Sequence, residues 1–185
     1  MIIAHQTASA REMPTAWSRR RALVSLGAVP LLALAAPAWS LAPGEAAPSC
    51  VVRSPDGSGS FDIAQRRGKL QYLDFWASWC APCRESFPFM NELQQDLVPR
   101  GLSILAVSVD KNPDDARRFL DRFPPQFPVA LDSTWTCASA YLLPGMPTTF
   151  IVDSTGVVRA LHIGFRGDDK ARIRAELEHM LGELK

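Results

Sequence analysis

One stretch limits this chain more than any other: Tyr72-Leu73-Asp74-Phe75-Trp76-Ala77-Ser78-Trp79-Cys80-Ala81-Pro82-Cys83. Its first half is short, apolar and aromatic, with one acid inside, which reads as a strand buried on both faces. Its second half places a Cys-x-x-Cys pair where that strand gives way to a helix. Two thiols at this spacing close a small ring, and a helix start beside them favours a thiolate. The pattern points to thiol–disulfide exchange. The competing readings are two buried cysteines, or half of a structural zinc site, which needs two more Cys or His ligands at short spacing. Cys50 and Cys137 are isolated, and His5, His162 and His179 form no cluster, so no metal ligand set is predicted.

The chain has 185 residues, 47% hydrophobic and 21% charged, enough for one ordinary domain with sequence to spare. Its formal charge of +1 is unevenly placed: residues 1–40 hold Arg11, Arg19, Arg20 and Arg21 against Glu12, which leaves 16 basic and 18 acidic residues beyond them. No basic surface for nucleic acid is implied. Residues 1–40 read as a signal peptide. Ser18-Arg19-Arg20-Arg21 is a positive opening, of the twin-arginine type or a general secretory one. Ala22–Ala38 is a short apolar run broken by Pro30 and Pro37, with small-x-small cleavage candidates at its end. An uncleaved anchor helix is the alternative, against which the run is short and carries prolines. Export would put the domain, residues 50–185, where disulfides persist. Residues 41–49, rich in Ala and Pro, read as a linker.

Beyond the linker, Cys50-Val51-Val52 reads as a short strand, residues 55–60 as a turn, and Phe61–Arg67 as one or two helical turns closed by Gly68. Lys69–Ala77 is the central strand. The following helix is expected to start at the cysteine pair with Pro82 in its first turn, and Pro88 should kink it. Leu102–Val109 is a second buried strand. Asn112-Pro113 opens a helix whose apolar face is Ala116, Phe119, Leu120 and Phe123, and Pro124, Pro125 and Pro128 end it. Val129–Leu131 reads as a strand and Trp135–Leu142 as a short helix. Phe150–Asp153 and Val157–Ile163 flank Ser154-Thr155-Gly156 as a hairpin. Asp168 should cap a last helix facing inward through Ile173, Leu177, Leu181 and Leu184. This order predicts an α/β fold with a mixed central sheet and helices on both faces.

Taken together, four motifs resemble the thioredoxin fold, and specifically the exported TlpA/ResA-like thiol:disulfide oxidoreductases. They are Asp74–Trp79 leading into Cys80-Ala81-Pro82-Cys83; Pro88 beyond the second cysteine; Val107-Ser108-Val109-Asp110; and Gly145-Met146-Pro147-Thr148 with the strand after it. The likeness spans about residues 50–185. It implies that Cys80 is the exposed nucleophile and Cys83 the resolving thiol. Pro147 matches the family's cis-proline, and Asp74 the buried acid beneath the second cysteine. Trp79, Ala81, Pro82, Met146 and Pro147 would then surround the cysteines as the substrate-binding surface. Where relatives carry Glu three residues past the second cysteine, this chain has Ser86, with Glu85 one place earlier.

The chemistry of the residues leads the same way. Only a thiolate attacks a disulfide, and the helix start favours one on Cys80. Cys83, one turn inside the helix, should be less exposed and needs a base. Asp74, buried in a sheet, would have a raised pKa and could serve. The expected function is reduction of protein disulfides outside the cytosol, as in cytochrome or metalloprotein maturation. No cofactor is implied, a membrane or exported electron donor is, and a monomer is expected. A copper-binding module of the same fold and a disulfide-forming oxidant are the alternatives. Cys50 and Cys137 are either a second disulfide or two separate buried thiols.

Overall fold

All seven residues of the strand Leu70–Trp76 are buried, as its unbroken apolar character requires. The computed structural model that shows this describes residues 41–66 and 70–183. Its strands are β1 (Val51–Arg53), β2 (Ser60–Asp62), β3 (Leu70–Trp76), β4 (Leu102–Ser108), β5 (Val129–Leu131), β6 (Thr148–Asp153) and β7 (Val158–Ile163). The helices are α1 (Cys83–Leu97), α2 (Pro113–Arg122), α3 (Thr136–Ala140) and α4 (Asp169–Glu183). Short 3-10 turns lie at Ile63–Arg66 and Val98–Arg100. The signal-peptide reading of residues 1–40, and the expectations for Arg67, Gly68, Lys69 and Leu184, fall outside the described residues.

The strands form one mixed sheet in the order β2-β1-β5-β4-β3-β6-β7. β3, β4 and β5 run parallel, β6 is antiparallel to β3, and β7 to β6. Successive β3 side chains point to opposite faces. Trp76 packs on Phe87 of α1 and Phe119 of α2, with ring centroids 4.9 and 4.6 Å apart. α4 packs beside α1 on that face. Phe75 faces the other way, onto Tyr141 just past α3, at 5.1 Å. Helices therefore cover both faces, as the sequence predicts.

Several local expectations are met and several corrected. Asn112 caps α2 by accepting the Asp114 N–H at 3.1 Å, with Pro113 at the first helical position. α1 stays helical through Pro88, whose missing N–H leaves the Arg84 carbonyl without its usual donor. The last helix opens on Asp169, which leaves Asp168 in the flanking cap position expected of it, and the Asp169 carboxylate accepts the Arg166 N–H at 2.9 Å and the Arg172 guanidinium at 2.8 Å. α3 has five residues rather than the eight of Trp135–Leu142, because Trp135 adopts a left-handed φ of 59° and Leu142 one of 50°. Ser60–Asp62, within the stretch read as turn and helix, is instead strand β2, paired antiparallel with β1.

The Leu41–Ser49 stretch lies along β7. Gly44 and Ala47 donate backbone hydrogen bonds to Val158 and Gly156, and Ala46 bridges Val157. Cys50 and Cys137 are joined as a disulfide with Cα atoms 5.5 Å apart, tying the entry of β1 to α3. Of the two readings left open by the sequence, the bonded one is what the fold holds.

Candidate active site

β3 delivers the chain to the site. After Trp76 it leaves the sheet and turns through Ala77–Cys80, closed by the Cys80 N–H bonding to the Ala77 carbonyl at 3.0 Å. A second tight turn, Ala81–Pro82, leads into α1. Cys80 and Cys83 form a disulfide with Cα atoms 5.4 Å apart. The helix begins at Cys83 itself. This corrects the expectation that Pro82 sits in the first turn with Cys83 a turn inside: Pro82 immediately precedes the helix, and Cys83 is its first residue. A proline ring preset near helical φ suits this entry point. Cys83 is nonetheless the deeper of the two, fully buried where Cys80 is 4% exposed. The Cys83 N–H points at Cys80 Sγ from 3.3 Å. An otherwise unpaired helix-start N–H aimed at a sulfur is the donor a thiolate there would use.

Asp74 is buried without exposure, on the β3 face that α1 covers. Thr149 of β6, its partner in register, donates its hydroxyl to Asp74 Oδ1 at 2.7 Å. Asp74 Oδ2 has no partner among the described residues. Burial disfavours the charged form and lifts the carboxyl pKa to about 7, and the Thr149 bond opposes only part of that rise. The Tyr72 hydroxyl stands 3.5 Å from the same Thr149 oxygen. Burial, and then the charge of Asp74, push its pKa up as well.

The Met146–Pro147 bond is cis, as the family likeness implies. β6 starts one residue later, and Thr148 pairs with Phe75, so the register brings the Pro147 loop to the end of β3 from which the cysteine turn departs. The Gly164 N–H anchors the Pro147 carbonyl at 2.7 Å. Around the cysteines Trp79 stands 62% exposed, Ala81 is exposed, Pro82 and Met146 are half-buried, and Pro147 is buried. Glu85 points to solvent, whereas Ser86 is buried and donates to the Cys83 carbonyl at 3.2 Å.

Two participants lie inside the quoted motifs but are given no role by the sequence. Thr149 is one, since its contact with Asp74 spans 75 residues. Asp110 is the other: just past β4, it is 4% exposed and bonded to the turn before Cys80. An acid directly after a buried parallel strand, where sites of open α/β sheets gather, is the signal that could have found it. Among the described residues no group of three or more Cys, His, Asp or Glu side chains could hold a metal ion. A cleft of about 870 Å³ is lined by Arg53, Arg117, Leu131, Asp132 and Thr134 among others and by no cysteine. Cys80, expected as the exposed nucleophile, is only 4% exposed, and the open surface beside the pair is that of Trp79 and Ala81, which suits a macromolecular substrate.

Comparison with known proteins bears on this geometry. A family model described as Redoxin matches residues 42–177. Thiol-disulfide oxidoreductase ResA of Geobacillus thermodenitrificans (strain NG80-2) is 34% identical over 125 residues, 68% of this chain and 71% of that protein. Thioredoxin-like protein YneN of Bacillus subtilis (strain 168) is 34% identical over 124 residues, 65% of this chain and 71% of its own. A solved Chlorobium tepidum structure, described as a thiol:disulfide interchange protein DsbE, superposes with a TM-score of 0.72 at 38% identity, covering 77% of this chain and 99% of that one. With its fold and cysteine turn of the same kind, the chain belongs to the Redoxin family, among the TlpA/ResA-like thiol:disulfide oxidoreductases of the thioredoxin superfamily.

Proposed function

We propose that this oxidoreductase works as a reductant of protein disulfides outside the cytosol, with Cys80 as nucleophile, Cys83 as resolving thiol and Asp74 as the base that serves Cys83. The observation that carries the reading is Asp74: fully buried on the face α1 covers, one carboxylate oxygen without a partner among the described residues, its pKa lifted to about 7. A carboxylate poised near neutrality can take a thiol proton; one near its ordinary value is too weak a base. The Cys80 thiolate attacks a substrate disulfide, forms a mixed disulfide and expels one substrate thiolate, which takes up a proton from water. Asp74 accepts the Cys83 proton, and the Cys83 thiolate attacks Cys80 Sγ. That step breaks the mixed disulfide, releases the second substrate thiol and closes Cys80–Cys83. Two electrons pass to the substrate, and an exported or membrane-held donor must return them.

Trp79, Ala81, Pro82, Met146 and Pro147 form the surface a substrate strand would meet. Ala81-Pro82 supplies no donor or charge between the cysteines, and Asp74 adds negative charge below them; both oppose the strong thiolate stabilisation that makes an oxidant. Proteins whose cysteines must be reduced before haem or metal is attached fit as substrates. Export rests on the pattern of residues 1–40 and on a second disulfide in the domain. Among the described residues no helix is long and apolar enough to cross a membrane. Among the described residues no His, Asp or Glu joins the two cysteines in a group that could hold a metal ion, which disfavours the copper-binding alternative. Equilibrating the Cys80–Cys83 pair with glutathione or dithiothreitol buffers tests the direction of flow. The expected potential lies on the thioredoxin side of about −200 mV, and a value near −120 mV would make the protein an oxidant.

A further inference from the structure

Asp110 has no part in the chemistry above, yet its carboxylate is one of the most heavily bonded in the molecule. Oδ2 accepts the Ser78 N–H at 2.9 Å and the Ser108 hydroxyl at 2.8 Å, and Oδ1 accepts the Ser78 hydroxyl at 2.8 Å. The Asp110 N–H in turn donates to Ser108 Oγ at 3.1 Å. The group is 4% exposed, and no ion pair involves it among the described residues. Bonds to a carboxylate are roughly twice as strong as neutral ones, so the three it accepts, backed by the fourth through its own N–H, make a rigid clamp. The clamp closes on Ser78, inside the Ala77–Cys80 turn. One residue back, the Val109 N–H bonds to the Trp76 carbonyl at 2.9 Å. The end of β4 therefore grips the chain on both sides of Ala77, just before Cys80.

We propose that Asp110 is a positioning residue for the cysteine pair: by fixing Ser78 it holds the Cys80 turn against the start of α1 and so favours closure of the Cys80–Cys83 disulfide. The proposal rests on the oxidoreductase reading of that pair. Two thiols already held in bonding geometry close a ring with a high effective concentration, whereas a loose turn must be ordered first. In the balanced exchange, the protein dithiol plus oxidised glutathione gives the protein disulfide plus two reduced glutathiones. Loosening the turn lowers that equilibrium constant and makes the protein a weaker reductant.

The test is this constant, measured for the full chain in glutathione buffers with alkylation and mass analysis. Asp110→Asn replaces an acceptor oxygen with an NH₂ group facing the Ser78 donors, and the expected loss is about tenfold, or about 30 mV toward a weaker reductant. Ser78→Ala keeps the carboxylate and its charge and removes one bond; a smaller loss in the same direction is expected, while Ser78→Thr restores the parent value. Asp132→Asn is the control. Its buried carboxylate caps α3 through the Thr136 and Ala138 N–H groups, so it should lose stability without moving the constant. Unchanged constants in both Asp110→Asn and Ser78→Ala overturn the proposal. A shift in Asp110→Asn alone overturns it too, since that would report charge rather than position. If Asp110→Asn does not fold, the Ser78 pair decides. A parent protein that exchanges with neither glutathione species would instead defeat the oxidoreductase reading.

Discussion

Asp74→Asn should change how stability depends on pH, and the structure gives the sign and size. In the unfolded chain an Asp titrates near 3.9; in the fold burial holds Asp74 at about 7. Between those values the native state binds a proton that the unfolded state has lost. Stability therefore falls as pH rises through that window, the reverse of an acid held by a salt bridge. Three pH units correspond to a loss of about 4 kcal/mol, complete above pH 7 and absent below pH 4. The amide has nothing to ionise. Relative to its own value at pH 4.5, the Asp74→Asn variant should gain on the parent steadily up to about pH 7 and then level off, by on the order of 3 kcal/mol in all. The oxidised protein is the right sample, because neither cysteine then titrates. Urea unfolding of both proteins at half-unit pH steps gives the curves. Taking their difference cancels other groups, including His162, whose pKa is lowered, chiefly by burial, and which contributes the opposite slope near and below pH 6.5. Parallel curves for parent and variant would refute the raised pKa and with it the base assigned to Cys83.

Alkylation of the reduced protein at pH 7 should label Cys80 first, since the Cys83 N–H faces its sulfur and Cys83 is the more deeply buried; mass mapping that finds the label mainly on Cys83 would exchange their roles. Replacing both Cys50 and Cys137 by Ala should cost about 4–5 kcal/mol in chemical denaturation, the chain-entropy value for a sequence separation of 87, while leaving the Cys80–Cys83 potential unmoved. A loss under 1 kcal/mol would show that the bond constrains little.

What the sequence made legible was local. β3, β4 and the β6–β7 hairpin are continuous or alternating runs with turn signals at their ends, and α2 has its Asn112-Pro113 start; in each case the residues that determine the element lie within it. β2 was illegible because Ser60-Phe61-Asp62 holds one apolar residue and pairs only through its neighbour β1. β1 lies beside β5, about 80 residues away, and nothing local announces that pairing. The same division runs through the site. The cysteines, Asp74 and the cis-proline take their roles from the motifs that contain them, whereas Thr149 and Asp110 stand in motifs that give them no role. These two matter through hydrogen bonds to partners 75 and 32 residues distant. Cys83 was placed a turn too deep because helix starts drift by a residue or two when read from a proline alone.

The two disulfides are nested: the Cys80–Cys83 ring lies inside the loop that Cys50–Cys137 closes. Four cysteines allow three pairings, and only the nested one leaves a working site. A chain oxidised in order of appearance would join Cys50 to Cys80 before Cys137 exists to compete. The inner pair offers its own remedy. Its two sulfurs are neighbours in sequence, so a wrong bond to Cys80 can be attacked by Cys83 from the same molecule, which frees Cys50 again. The oxidoreductase would thus edit its own assembly with the chemistry it applies to its substrates. The outer bond becomes permanent only when folding has brought β1 and α3 together and buried both its sulfurs beyond the reach of exchange.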